Sequence, residues 1–198
     1  TTDNAVKAAA LWGLGRTELT AGNYELALEK LNLLTSEYAA STYAARAYFL
    51  MGQAYTNLGQ YQLSADAYNT YLTRVPGVLD GYVQEYRGDA LNQLNDYGGA
   101  LTAYNAALTA SRLDDGLTLQ TKIAQARASF GDHAGALTLY DQIFANTTND
   151  YLKAQMDYLA GQSHIALGQA DASNVRYLHT VENYPLSYYS YLALVSLV

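Results

Sequence analysis

Cysteine is absent from the 198 residues, which excludes a disulfide framework, a thiolate nucleophile and any cysteine-based zinc site. Proline occurs only twice and charged residues make up only 15%, while half of the chain is apolar, a composition of folded helices and not of disorder. Positive charge is scarce as well. The 11 Lys and Arg are scattered singly against 18 Asp and Glu, giving a net charge of −7 that opposes binding to nucleic-acid phosphates. Long apolar runs are missing: the strongest, Leu192 to Val198, falls well short of the roughly 20 residues that span a bilayer, so no membrane insertion is expected. The chain opens Thr1-Thr2-Asp3 with neither an initiator Met nor a basic-then-apolar leader, and the expectation is a segment of a longer protein.

What the chain has in excess is tyrosine, 20 residues against 3 Phe, and tyrosine recurs with a period. The period is set by a turn signal: Gly22-Asn23-Tyr24, Gly59-Gln60-Tyr61, Asn95-Asp96-Tyr97, Gly131-Asp132-His133 and Gly168-Gln169-Ala170. The last-named positions lie 37, 36, 36 and 37 residues apart. Nine residues before each stands a small residue, Gly15, Gly52, Gly88, Ala124 or Gly161. Three residues after each stands another, Ala27, Ser64, Ala100, Ala136 or Ser173. Small side chains at both places let two antiparallel helices approach closely, and the larger Leu31, Tyr68, Tyr104, Tyr140 and Tyr177, four residues further on, fill the seam. A tyrosine suits such a seam because its ring fills space while its hydroxyl reaches water or a carbonyl.

This grammar resembles the tetratricopeptide repeat. The second copy carries the resemblance best, with Tyr48, Met51-Gly52, Tyr55, Gly59, Tyr61, Ser64, Tyr68, Tyr71 and Pro76 at the family's offsets. The likeness runs from about Ala8 to Pro185. It departs from the family in a step two or three residues longer than the usual ~34 and in Gln84, Arg87, Gln120 and Arg127 at places that are usually apolar. The resemblance implies an all-α, right-handed superhelical solenoid of five helix-turn-helix repeats plus a C-terminal helix, forming a single body over 1–198. The repeats fall at approximately 5–40, 41–77, 78–115, 116–149 and 150–185, with a sixth beginning over 186–198.

Local signals place the helix ends. Asp3 caps a first helix running to about Thr20, Asn23 opens its partner, Ser41 caps the next, and the Arg74-Val75-Pro76-Gly77 segment closes the second copy. The third copy ends near Arg112 and the Asp114-Asp115-Gly116 turn. Asp150 caps the helix from Tyr151, and Ser187 caps a last one from Tyr188. That last helix is apolar almost all round, where a terminal capping helix would be polar. The expectation is therefore a solenoid that continues past Val198 and, for this segment alone, self-association through the exposed C-terminal helix.

Chemistry-bearing constellations are few. His133 falls in the fourth repeat and His164 and His179 in the fifth without helical pair spacing, the first two at structural places and the third beside Glu182 as a surface pair, so no catalytic residue, metal site or cofactor is expected. Glu85 and Asp89 lie four apart on one helix face and repel each other, and an open groove lacks the walls that acid catalysis needs. The family resemblance instead implies a binding trough along the first helix of each hairpin. Transferred onto this chain, it holds Trp12, Arg16, Arg46, Phe49, Gln53, Asn57, Tyr82, Glu85, Asp89, Asn92, Gln93, Thr121, Gln125, Tyr158 and Gln162. Aromatic faces beside amides and acids suit a protein or extended peptide, and they equally suit the rings of a glycan.

A second, shorter resemblance spans Asn183-Tyr184-Pro185-Leu186-Ser187-Tyr188-Tyr189-Ser190-Tyr191-Leu192-Ala193, which looks like a stretch in the superhelical, non-catalytic region of bacterial soluble lytic transglycosylases. It implies an alternative role of guiding peptidoglycan glycan or arranging domains. With the low lysine content and the missing cysteine, it points toward an extracytoplasmic location, periplasm or cell envelope, over a cytoplasmic one.

Overall fold

The computed structural model describes residues 2–77, 79–110 and 116–197, and eleven helices lie among them. They fall into two compact units, Thr1–Leu113 and Asp114–Val198. The first unit holds α1 (Thr2–Thr20), α2 (Tyr24–Glu37), α3 (Thr42–Asn57), α4 (Tyr61–Arg74), α5 (Asp80–Gln93) and α6 (Tyr97–Thr109). The second holds α7 (Leu117–Ser129), α8 (His133–Asn146), α9 (Asp150–Ala166), α10 (Ala170–Asn183) and α11 (Tyr188–Ser196). Within each unit every helix packs on the next, and α1 also reaches α3 as α9 reaches α11.

The second helix of each hairpin starts at 24, 61, 97, 133 and 170, the register read from the turn signal. The turns reverse the chain through one residue in left-handed backbone, Gly22, Gly59, Gly131 or Gly168, at φ between 70 and 93°. In the third hairpin Asn95 takes that role at φ 60°, and asparagine tolerates this region better than any residue but glycine. Residues 111–115 lie outside the described residues, and with them the expected end of the third copy at Arg112 and the Asp114-Asp115 pair. Gly116 stands as the N-cap of α7.

The predicted interlock of small residue and ring is the central packing feature. A methyl group built on Gly52 would stand 2.5 Å from the Tyr68 ring, one on Gly88 2.5 Å from Tyr104, and one on Gly15 2.6 Å from Leu31. Gly161 meets Tyr177 in the same way. In the fourth hairpin Ala124 and Tyr140, both buried, share one core cluster with Ile143, Met156 and Ala160. In the first unit the largest cluster gathers Leu28, Leu31, Leu34, Ala44, Ala47, Leu50 and Met51. Each buried leucine there contributes about 1.5–3 kcal/mol.

The caps divide. Ser41 accepts from the Tyr43 amide and Ser187 from Ser190, as their sequence positions imply. Asp3 is not a cap: it lies inside the first turn of α1 and pairs with Lys7 at 2.7 Å. Asn23 occupies the N-cap of α2 but makes no capping bond, because its amide donates to Glu18 Oε2 at 2.8 Å. The cap of α9 falls one residue earlier than expected, on Asn149, whose side chain accepts from Leu152; Asp150 opens the helix instead. Among the described residues no helix is long and apolar enough to cross a membrane.

Candidate functional site

The fifteen trough residues sit on the first helices of the hairpins, α1, α3 and α5 in the first unit and α7 and α9 in the second. Packing sorts them. Trp12 is half-buried, its ring 5.7 Å from that of Tyr43, with the Arg16 guanidinium 4.8 Å above it. Phe49 is enclosed by Tyr68, Tyr71 and Tyr86 at 5.6–6.2 Å, so it is part of the seam. Thr121 turns its hydroxyl onto Leu117 O of its own helix, and Gln125 is half-buried. Tyr158 stacks between Tyr177 and Tyr189 and accepts from Gln162 Nε2 at 2.9 Å. Arg46, Asn57, Gln93 and Gln162 are exposed, while Tyr82, Glu85, Asp89 and Asn92 are half-buried.

Gln53 and Asn57 are brought together in a cleft of about 320 Å³ whose other walls are Leu19, Tyr24, Thr56, Tyr68 and Tyr86. The aromatic walls were not among the fifteen trough residues expected from the sequence. Tyr68 stands at a seam place, and Tyr86 lies two residues before Gly88, where no repeat position marks it. Under the cleft, Ser64 Oγ donates to Gly52 O at 2.9 Å and touches Thr56 Oγ1 at 2.7 Å. Burial, more than any other cause, pushes the Tyr68 hydroxyl up to about 12.

The Glu85 and Asp89 pair is tied into the seam. Tyr104 donates its hydroxyl to Asp89 Oδ1 at 2.9 Å. Burial, then the Asp89 and Glu85 charges, hold Tyr104 above the ordinary tyrosine range.

The expected His179 and Glu182 pair gives way to a different arrangement. His179 Nδ1 meets Asp157 Oδ2 at 2.5 Å, and Asp157, only 1% exposed, also takes Arg176 Nη1 at 3.1 Å. Arg176 reaches on to Asp141 of α8, so one guanidinium joins α8, α9 and α10. The signal was present in the sequence: four residues before the small residue, where Leu11 and Tyr48 stand in the first two copies, Gln84, Gln120 and Asp157 are polar. His164 holds Gln169 Oε1 across its turn at 2.7 Å, and the buried Nδ1 of His133 has no partner. Among the described residues no group of three or more His, Asp or Glu could hold a metal ion.

The tetratricopeptide repeat family matches residues 45–74, the helical hairpin of α3 and α4. Helical hairpins in the same register recur through the chain. The fold is that of the tetratricopeptide repeat. Solved structures agree over nearly the whole chain. YrrB, described as a TPR protein with an unusual peptide-binding site, superposes with a TM-score of 0.75 at 18% identity, covering 94% of this chain and 89% of that one. The MamA protein gives 0.72 at 13% identity over 89% and 91%. MamA from residue 41 onward of Desulfovibrio magneticus RS-1 gives 0.70 at 17% over 89% and 94%. No curated protein sequence matches the chain. These tetratricopeptide neighbours lend no support to the lytic-transglycosylase resemblance of Asn183 to Ala193. That stretch holds the α10–α11 turn, where a cavity of about 340 Å³ is lined by Asp150, Tyr151 and residues 183–187.

Proposed function

We propose that the chain is a non-catalytic scaffold that binds a protein or extended peptide along the first helices of its tetratricopeptide repeats. The observation that carries this reading is the cleft at Gln53 and Asn57. Aromatic walls and side-chain amides meet there on a rigid helical frame, which suits a peptide's side chains and its backbone together. Tetratricopeptide scaffolds bind proteins and peptides, and the YrrB neighbour is described by its peptide-binding site.

Selection of peptides from a random-sequence phage library on the immobilised chain tests the reading. Selected peptides should lose affinity about fivefold with Asn57→Ala or Gln53→Ala, the value of one hydrogen bond each. Peptides that bind both variants as tightly as the parent would contradict it.

A second contact is proposed at α11, where Tyr188, Tyr191, Leu194 and Val195 are each more than half exposed, supporting self-association through this helix. Sedimentation velocity should show a concentration-dependent shift that Tyr191→Asp with Leu194→Asp removes. A monomer at the highest attainable concentration would contradict it.

A further inference from the structure

We propose that the Tyr68 and Tyr86 cleft of the first unit is a subsite for a basic side chain, an arginine or lysine presented by the bound partner. This rests on the peptide-binding reading and deepens it.

The walls are three tyrosine rings, with Tyr68 and Tyr86 centred 5.9 Å apart and inclined at 31°, and aromatic faces carry the negative side of the ring quadrupole. Among the polar groups between them, Asn57 and Thr56 each spend a donor on a carbonyl of their own helix. Asn57 Nδ2 donates to Gln53 O at 2.8 Å, which turns Oδ1 outward as an acceptor. Thr56 directs its hydroxyl to Gly52 O at 2.9 Å. No lysine or arginine lines the cleft, so its acceptors and ring faces are not already matched by a cation of its own. A neutral apolar side chain would cover the rings but leave the Asn57 oxygen desolvated and unpaired. An acidic one would set its charge against the ring faces and the Asn57 oxygen. A guanidinium or ammonium satisfies both features, and its methylene stem lies against Leu19.

The test uses N-acetyl-arginine amide and N-acetyl-lysine amide as probes, with the neutral isosteres N-acetyl-citrulline amide and N-acetyl-norleucine amide, followed by ¹H–¹⁵N spectra of the labelled chain. The cationic probes should shift the Gln53 and Asn57 side-chain amides saturably, and the neutral ones should bind several-fold more weakly. Tyr86 is 40% exposed, so its replacement leaves the core intact. Tyr86→Ala should weaken the cationic probes about two- to fivefold, and Tyr86→Phe should retain them, because the face and not the hydroxyl is used. Equal shifts from arginine and citrulline, or none from either, would overturn the inference. The phage selection separates the two proposals. Peptides enriched in Arg or Lys that compete with the probes support both. Peptides that depend on Asn57 but carry no basic residue overturn this inference and leave peptide binding standing. Probe binding without any selected peptide supports the subsite and counts against the broader reading.

Discussion

At the scale of single residues, two serines at one repeat place show how much a hydrogen bond decides. Ser64 and Ser173 are both fully buried where the other hairpins carry alanine, but Ser64 reaches Gly52 O and Ser173 Oγ has no partner. Ser64→Ala should therefore cost about 1 kcal/mol and Ser173→Ala should be neutral or stabilising by about as much, read from urea unfolding. Asp157 sets a similar asymmetry. Arg176→Met leaves the buried Asp157 carboxylate with His179 as partner and should cost about 2–3 kcal/mol, whereas Asp157→Leu leaves Arg176 its bond to Asp141 and should cost less. The tyrosines respond to alkali. Tyr68, raised by burial to about 12 from an ordinary 10, keeps its proton in the folded chain while the unfolded chain loses it. Stability should thus be unaffected below pH 10 and fall between pH 10 and 12, by on the order of 2 kcal/mol from this residue alone. Absorbance at 295 nm should show a late-titrating set of tyrosines that disappears in denaturant. The Tyr68 environment was readable only in part, since the repeat marks the ring as seam, but the placing of the Thr56 and Ser64 hydroxyls near it depends on rotamers that spacing does not encode.

At the scale of helices, the interlock of glycine and ring makes opposite forecasts for glycines that look alike in sequence. Gly13 has nothing within 4 Å of a built methyl group and lies mid-helix, so Gly13→Ala should stabilise by about 0.5–1 kcal/mol. Gly88→Ala gains the same helix propensity but drives a methyl into Tyr104 and should cost a net 1–2 kcal/mol. Thermal melts of the two variants decide it, and equal effects would break the packing account. Helix starts were legible here because the turn residue, the small residue and the ring all had to agree in phase over five copies. The caps were less so. Asn23 and Asp150 have the right chemistry at nearly the right place, but Glu18 captures one amide and Asn149 outcompetes the other by a residue. Such local contests between neighbouring polar groups turn on tenths of a kcal/mol that sequence spacing does not rank.

For the whole chain, the sequence carried the hairpin register, since it follows from periodicity. It did not carry which trough residues stay available. Trp12 and Phe49 spend their faces on Tyr43 and on the Tyr68, Tyr71 and Tyr86 group, and only the packed rings reveal that Tyr86 is left half open beside Gln53 and Asn57. The arginine-bridged link from α8 through α9 to α10 was hidden for a related reason, because Asp157 and Arg176 lie 19 residues apart on different helices. The proposed recognition surface thus lies on the odd-numbered helices, while the even-numbered ones supply the side chains that pack against their small residues. The most direct measurement is the chemical-shift map of the ¹⁵N-labelled chain titrated with a library-selected peptide. The account predicts saturable shifts concentrated on α1, α3 and α5, with the Gln53 and Asn57 side-chain amides among the largest. Shifts confined to the outer faces of α2, α4 and α6 would contradict it.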